Sequence, residues 1–536
     1  MAEPAGSPAR PNVFDPVAWG ALLLAALCAL GQFAWFASQR LPYPHELEWM
    51  EGALVDHAHR VAQGLPLYCA PTPEHVPFLY APLLFWLGAL GMKLGLSGLL
   101  ALRLVAALAS LGTALLLGHW VRRESGRVVP GLVASGLFLA GYGWLHWWFD
   151  LARNDALFLL PTLGCACLLR RGGPWRWLPA AVLALAAVLA KQSALMWLPA
   201  IGVGALLHDW RTALRFAAAT VVLLAVGLGG LHLGTEGWST FYLFEMPRQH
   251  AVEGKAKLGF WTQDLLPLVP LLLLGLLGFV ERWRRGERPA ALFLAAVGSG
   301  GLVTSWLSRL HVGGFDNVLM YGFAAACLLG PLAVVTAGRV ARLAVPVLLL
   351  AQFAVLFGYG VARAPGRTAL PSAAHCQAHD TLLAYVRGVA GEVLIPGHGG
   401  ITIQAGKATG AHGQAIFDLL QALPKTPEGV LDLPALASDQ RLAQLPGKTG
   451  PALRSFRDGV LQGLLARRFG AIVLDQQIGP QFEGLFAFGL SGPDGRIGTP
   501  DDLYRRRSGP LLDDGLALRP LVGFPVDSPY VLEAVR

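Results

Sequence analysis

The chain has 536 residues, 54% of them hydrophobic and only 14% charged, with 16 Trp and a mean hydropathy of +0.50. Soluble domains carry about 25% charged residues, so this balance excludes an ordinary soluble enzyme and describes a polytopic α-helical membrane protein. The net charge of +8 does not indicate nucleic acid, because the arginines fall in short clusters between apolar runs, as in cytoplasmic loops.

After a short cytoplasmic N-terminus, 1–16, the first apolar run, 17–38, is too long for a signal-peptide core and reads as a retained span. Further runs at 99–121, 128–149, 154–169, 177–190, 194–208, 216–234, 265–280, 290–307, 318–338 and 343–361 give about 11 transmembrane helices in a domain spanning 17–361. The stretch 83–94 is apolar but short and proline-flanked, which suits a re-entrant or juxtamembrane helix. Arg122-Arg123 with Arg127, Arg170-Arg171 with Arg176, Arg211 with Arg215, the cluster 282–288, and Arg339 with Arg342 occupy alternate loops. With a cytoplasmic N-terminus all of these fall inside, and every unusual polar cluster falls on the outer face.

The first outer loop, 39–98, holds Glu46, Glu48 and Glu51 within a few residues. Helical spacing predicts one shared face for Glu48 and Glu51, and 52–63 reads as an amphipathic helix lying on the surface. The ordinary alternative is a solvated acidic loop. Next, Asp150, Arg153 and Asp155 sit at the outer end of a span beside a tryptophan belt. They read either as interfacial anchors and caps or as partners of the acidic loop, and Asp155, already inside an apolar run, needs a partner. Lys191 interrupts the apolar stretch 178–207, where it either snorkels or lines a polar cavity, and its point charge suits a phosphate.

The loop 236–264 carries Arg248, His250, Lys255 and Lys257 and reads as a mobile lid over a lipid-phosphate entrance or as a plain solvated loop. Arg309, His311, Asp316 and Asn317, with Gly313 and Gly314 between them, read as ligands for phosphate or sugar hydroxyls or as a helix–turn–helix corner. From 362 to 536 glycine, proline and charge rise. Strand-like runs (Glu392-Val-Leu-Ile-Pro, Ala471-Ile-Val-Leu-Asp) alternate with helix-like ones at 381–388 and 460–469, predicting a small extracytoplasmic α/β domain. Asp494, Asp501 and Asp502 flank tight turns there but lack the twelve-residue calcium-loop spacing. A Cys69–Cys376 disulfide is open, since both cysteines fall outside. Walker, dinucleotide and G-x-S-x-G motifs are missing, so an activated substrate has to come from elsewhere, such as a lipid.

In their order these elements resemble the GT-C class of integral membrane glycosyltransferases, in the bacterial branch of aminoarabinose transferase and protein O-mannosyltransferase-like enzymes. The resemblance rests on His45-Glu-Leu-Glu-Trp-Met-Glu-Gly, Gly64-Leu-Pro-Leu-Tyr68, Tyr80-Ala-Pro-Leu-Leu, Arg153-Asn-Asp155, Ala190-Lys-Gln and the 308–317 corner. It implies transfer of a sugar from a polyprenyl-phosphate donor to an envelope lipid, glycan or protein, at the outer face of a bacterial inner membrane, with inversion. The family pattern opens Asp-Glu where this chain has His45-Glu46, so Glu48 or Glu51, ahead of Glu46, takes the role of base, with Asp155 beside it. Lys191, Arg309, Arg153 and Arg248 are the expected phosphate ligands, and Tyr68, Tyr80, His311 and Asn317 the acceptor or sugar ligands. No cofactor is required by the sequence, and a divalent metal is compatible with it. The competing readings are a transporter or flippase of lipid-linked saccharide, against which the chain lacks internal repeats, and a non-catalytic envelope scaffold.

Overall fold

The computed structural model describes residues 16–250, 252–311, 313–335, 339–362, 370–426 and 431–475, with parts of 482–535. The apolar runs form helices in the expected places: α1 (Pro16–Arg40), α2 (Glu51–Ala62), α3 (Leu83–Lys93), α4 (Gly98–Ser125), α5 (Val128–Trp144), α6 (Asn154–Arg171), α7 (Trp177–Ala190), α8 (Ala194–His208) and α9 (Trp210–Gly234). Two short turns, α10 (Trp238–Thr240) and α11 (Ala256–Gly259), precede α12 (Val269–Arg284), α13 (Arg288–Leu310), α14 (Met320–Leu329) and α15 (Arg339–Ala362). Among the described residues, seven helical stretches are long and apolar enough to cross a membrane, while α3, α5, α7 and α8 are apolar but shorter. The break between α7 and α8 falls at Lys191, whose backbone is extended.

The helices approach closely through small residues, as membrane helices do in the absence of a hydrophobic driving force between them. A Cβ on Gly136 of α5 would lie 2.3 Å from Ala26 of α1, and one on Gly143 2.7 Å from the Cα of Gly360 in α15. The basic clusters gather at one end of the bundle. Arg170 of α6 and Arg282 of α12 both meet Glu124 of α4, at 2.9 and 3.6 Å, and Arg170 also reaches His208 at the end of α8. At the opposite end Arg40, closing α1, pairs with Asp150 at 2.9 Å. Charge is thus sorted along the bundle axis.

The loop 236–264 is folded. It consists of short helical turns that bury Phe241, Tyr242, Met246 and Phe260, and Glu253 N donates to the Leu310 carbonyl at 2.8 Å. After residue 370 come α16 (Ala373–Gly388), β1 (Glu392–Leu394), α17 (Ile401–Gln404), α18 (Gly413–Leu420), α19 (Asp439–Ala443), α20 (Thr449–Leu465), β2 (Phe469–Leu474), β3 (Tyr504–Arg506) and β4 (Tyr530–Ala534). The sheet order is β1-β2-β4-β3, with β1 parallel to β2 and the other pairs antiparallel. Leu382 and Val386 of α16 pack on Val393, Val473 and Val531. The helix expected over 460–469 stops at Leu465. Arg467 takes a left-handed φ of 50°, and Phe469 already opens β2.

One expectation is corrected. The helix at 52–63 does not lie on a surface, because the C-terminal region covers it. Every residue from Glu51 to Ala58 is buried. Asp56 accepts the Gly400 amide at 3.0 Å, Glu46 meets His398 at 2.8 Å, and the Ala411 amide donates to the Pro73 carbonyl. Gly52 and Gly399 let the two backbones touch: a Cβ on Gly399 would stand 2.2 Å from the Ala53 amide nitrogen. Overpacking of this kind costs about 1–3 kcal/mol. Gly399→Ala is therefore expected to loosen the contact and hasten proteolysis of the C-terminal region in the folded protein. Gly388→Ala, whose Cβ meets nothing, should be cleaved at the wild-type rate.

Cys69 and Cys376 are free thiols. Asp494 lies outside the described residues. Asp501 accepts the Thr499 hydroxyl at 2.6 Å.

Candidate active site

Arg103, within the apolar run of α4 and fully buried, anchors the acidic loop 46–51 through Glu51. Its guanidinium grips Glu51 through two bonds, of 3.0 and 2.6 Å, and donates to the carbonyls of Arg40, Tyr43 and His45. Glu51 also accepts the Leu47 and Ala152 amides at 2.7 and 2.8 Å. Burial acts to raise its pKa, but Arg103 and the two amides outweigh burial and hold it below the usual carboxylate range. With four donors on two oxygens, Glu51 has little capacity left for a substrate proton.

Glu48 stands apart from Glu51, contrary to the shared helical face expected from spacing, because the helix begins only at Glu51. Its partners are the Met50 amide at 3.1 Å and Arg153 Nη1 at 3.2–3.3 Å. Among the described residues, only Arg153 donates to Oε1. Burial pushes the Glu48 carboxyl up to about 7, against the attraction of Arg153 and with the repulsion of Glu51 adding to the rise. Arg153 is layered between the rings of Tyr80 and Trp148, at 5.3 and 5.2 Å, and donates to the Tyr80 hydroxyl at 2.8 Å. Its Nε has no hydrogen-bond partner among the described residues.

Two residues further on, at the start of α6, Asp155 accepts from Lys191 Nζ (2.5 Å), the Tyr321 hydroxyl (2.7 Å) and Asn317 Nδ2 (3.0 Å). The sequence order Arg153-Asn154-Asp155 sets the two cation–carboxylate pairs side by side, with Asp155 within electrostatic reach of Arg153. Asn154 braces the corner by donating to the Ala190 carbonyl at 3.1 Å, and Gln192 does so on the Leu79 carbonyl at 2.6 Å.

The other sequence candidates are dispersed. Tyr68 is buried and its hydroxyl bonds the Tyr80 carbonyl at 2.6 Å, bracing the site from behind. Arg309 pairs with Asp264 at 2.9 Å and approaches Asp316, which His146 also meets. Arg248 is exposed and makes no ion pair among the described residues. The His311 ring lies 4.7 Å from that of His250, whose Nε2 is 3.8 Å from buried Asp418 of α18. Burial drives Asp418 up to about 8, against its bond from Gln414.

Sequence reasoning did not single out Arg40, Arg103, Tyr321, His398 or Asp418. An ionisable residue inside an apolar run was a usable signal for Arg103. His398 and Asp418 arrive from a distant part of the chain, and nothing local marks them.

A divalent cation gathers several unneutralised oxygens. Here Glu48, Glu51 and Asp155 each already face a cationic side chain, and the described residues hold no group of three or more potential metal ligands. As arranged, these three carboxylates are committed to side-chain cations and do not form a metal-binding set among the described residues.

The fold is the GT-C membrane fold. The chain aligns with ArnT from Cupriavidus metallidurans in the apo state with a TM-score of 0.57 and 13% identity, over 97% of this chain and 98% of that one. The same ArnT bound to undecaprenyl phosphate gives 0.55 and 12%, over 96% and 98%. The oligosaccharyltransferase AglB from Archaeoglobus fulgidus, in complex with an inhibitory peptide and a dolichol-phosphate, gives 0.50 and 12%, over 90% and 71%. No protein-family model and no curated protein matches the chain. At these identities the likeness concerns the fold.

Proposed function

We propose that the protein transfers a hexosyl or pentosyl group from a polyprenyl-phosphate donor to an acceptor hydroxyl, with inversion, at the outer face of a bacterial inner membrane. The observation that carries this reading is the pair of adjacent buried ion pairs, Glu48–Arg153 and Asp155–Lys191, at the end of the bundle away from the basic clusters. The GT-C fold supports it, because the relatives of similar fold include structures with undecaprenyl phosphate and dolichol-phosphate bound.

The acceptor oxygen attacks the anomeric carbon as the carbon–oxygen bond to phosphate breaks. The acceptor proton passes to Glu48 Oε1, and the bonding pair leaves with the polyprenyl phosphate. Lys191 and Arg153 stabilise that developing charge. Asp155 positions Lys191, and Glu51 with Arg103 positions the loop that carries Glu48. Arg309 and Arg248 act outside this centre, on the approach of the donor. The Tyr80 hydroxyl orients Arg153, and Asn317 fixes Asp155.

Radiolabelled polyprenyl-phosphate sugars, offered with envelope lipid and glycan extracts, test the reading. The expected product carries the anomeric configuration opposite to the donor, read by NMR of the isolated glycoside, and a retained configuration would overturn single displacement. The base also sets the pH dependence. Glu48 works only when ionised and its pKa is raised to about 7. The expected kcat/KM therefore rises with pH, with a midpoint near 7, and levels off above it. A profile flat from about pH 5 to 8 would exclude Glu48 as the base.

A further inference from the structure

The C-terminal region meets the acidic loop beside Glu48. Helix α18 opens at His412, which is 3% exposed. The Gln414 backbone N–H donates to His412 Nδ1 at 3.2 Å, so that nitrogen is the acceptor and the imidazole proton sits on Nε2. Nε2–H in turn donates to the Trp49 carbonyl at 3.2 Å, a contact across 363 positions of the chain. The His412 ring lies 5.5 Å from that of Trp49 and 5.8 Å from that of Phe78. Two hydrogen bonds and two ring contacts hold this imidazole in one orientation.

The Trp49 carbonyl and the Met50 N–H are the two ends of a single peptide group, which is planar. That N–H donates to Glu48 Oε2 at 3.1 Å. His412 therefore sets the plane from whose far end Glu48 is held, and a hydrogen bond at one end of a peptide group strengthens the bond at the other. The charged groups acting on Glu48 are Arg153, Glu51 and Glu46. Burial drives the His412 pKa down to about 3, with His398, His57 and Arg153 adding to the fall against the bond to Trp49. The ring stays neutral wherever Glu48 titrates.

We propose that His412 is a positioning residue for Glu48: through the Trp49–Met50 peptide it fixes the carboxylate that takes the acceptor proton, which makes the C-terminal region a working part of the catalytic centre. The inference rests on the reading of Glu48 as the base.

Two substitutions separate this role from helix capping. Gln carries its amide nitrogen where imidazole carries Nε2, so His412→Gln keeps the donor to Trp49 and loses the cap on α18. Asn carries its amide where imidazole carries Nδ1, so His412→Asn keeps the cap and loses the donor. In the full-length protein in nanodiscs, His412→Asn is expected to lower kcat about 10–100-fold, the cost of a base displaced by about an ångström, with little change in donor KM. Its kcat/KM midpoint should lie about 0.5–1 pH unit above that of the wild type, because the carboxylate loses a hydrogen bond that favours its ionised form. Hydrogen exchange in the peptide spanning 47–52 should be about tenfold faster. His412→Gln should restore the wild-type midpoint and exchange. An active wild type whose Asn variant keeps both midpoint and exchange, or whose Gln variant loses as much as the Asn variant, overturns the proposal. A wild type that consumes no donor overturns the function reading instead, and exchange that is equal in all three proteins then removes the His412 contact as well.

Discussion

Glu48→Gln is expected to lower transfer by about 10²–10⁴-fold, the usual contribution of a general base, while the purified protein keeps its detergent melting temperature. The substitution keeps the size and the amide contact from Met50 but removes the carboxylate whose Oε1 faces, among the described residues, Arg153 alone. The rise of rate through pH 7 should vanish with it, because the residual reaction no longer depends on that ionisation. Glu46→Gln should lose far less, since Glu46 is taken up by His398 and the Gly52 amide, away from Arg153. Equal losses in the two variants would show that the loop, and not a base, had been disturbed. A steady-state rate series from pH 5 to 9 for the three proteins decides between them.

Arg103→Met is expected to destabilise the protein by about 3–5 kcal/mol, because it strands a fully buried Glu51 without its counter-charge. The same change frees the carbonyls of Arg40, Tyr43 and His45, so the whole approach to the acidic loop loses its anchor. Adding Glu51→Gln should return about 1–3 kcal/mol of that loss, as expected of coupled neighbours. Thermal unfolding in detergent measures all four corners of the cycle. Strict additivity of the two losses would mean that Arg103 and Glu51 do not act as a unit.

Much of the fold is written in one-dimensional patterns. Runs of about 20 apolar residues and alternate basic clusters mark spans and sort the loops into two groups, and helices follow at nearly every expected place. The site is legible only in part. Glu48, Arg153, Asp155 and Lys191 could be chosen because a charge in an apolar setting is conspicuous. Which partner each carboxylate takes was not readable. Spacing of three suggested one face for Glu48 and Glu51, yet the helix starts at Glu51 and sends the two toward Arg153 and Arg103. The burial of α2 was equally hidden. It depends on Gly399 and Gly400, about 350 residues away, reaching Gly52 and Asp56, and no local periodicity encodes such a contact. Arg309 and Lys191 stand out in the sequence for the same reason, and the acidic partner of each, Asp264 and Asp155, comes from a distant part of the chain.

The most direct test of the central claim is acceptor-dependent release of polyprenyl phosphate from a polyprenyl-phosphate sugar labelled in both parts, by purified protein in nanodiscs. The account predicts that, for one donor of a panel, sugar label moves to the acceptor and an equal amount of free polyprenyl phosphate appears. Glu48→Gln should bind the same donor and release neither. If the wild type binds a donor that stays intact with every acceptor, and Glu48→Gln behaves like the wild type, the protein carries or organises the lipid-linked sugar and does not transfer it.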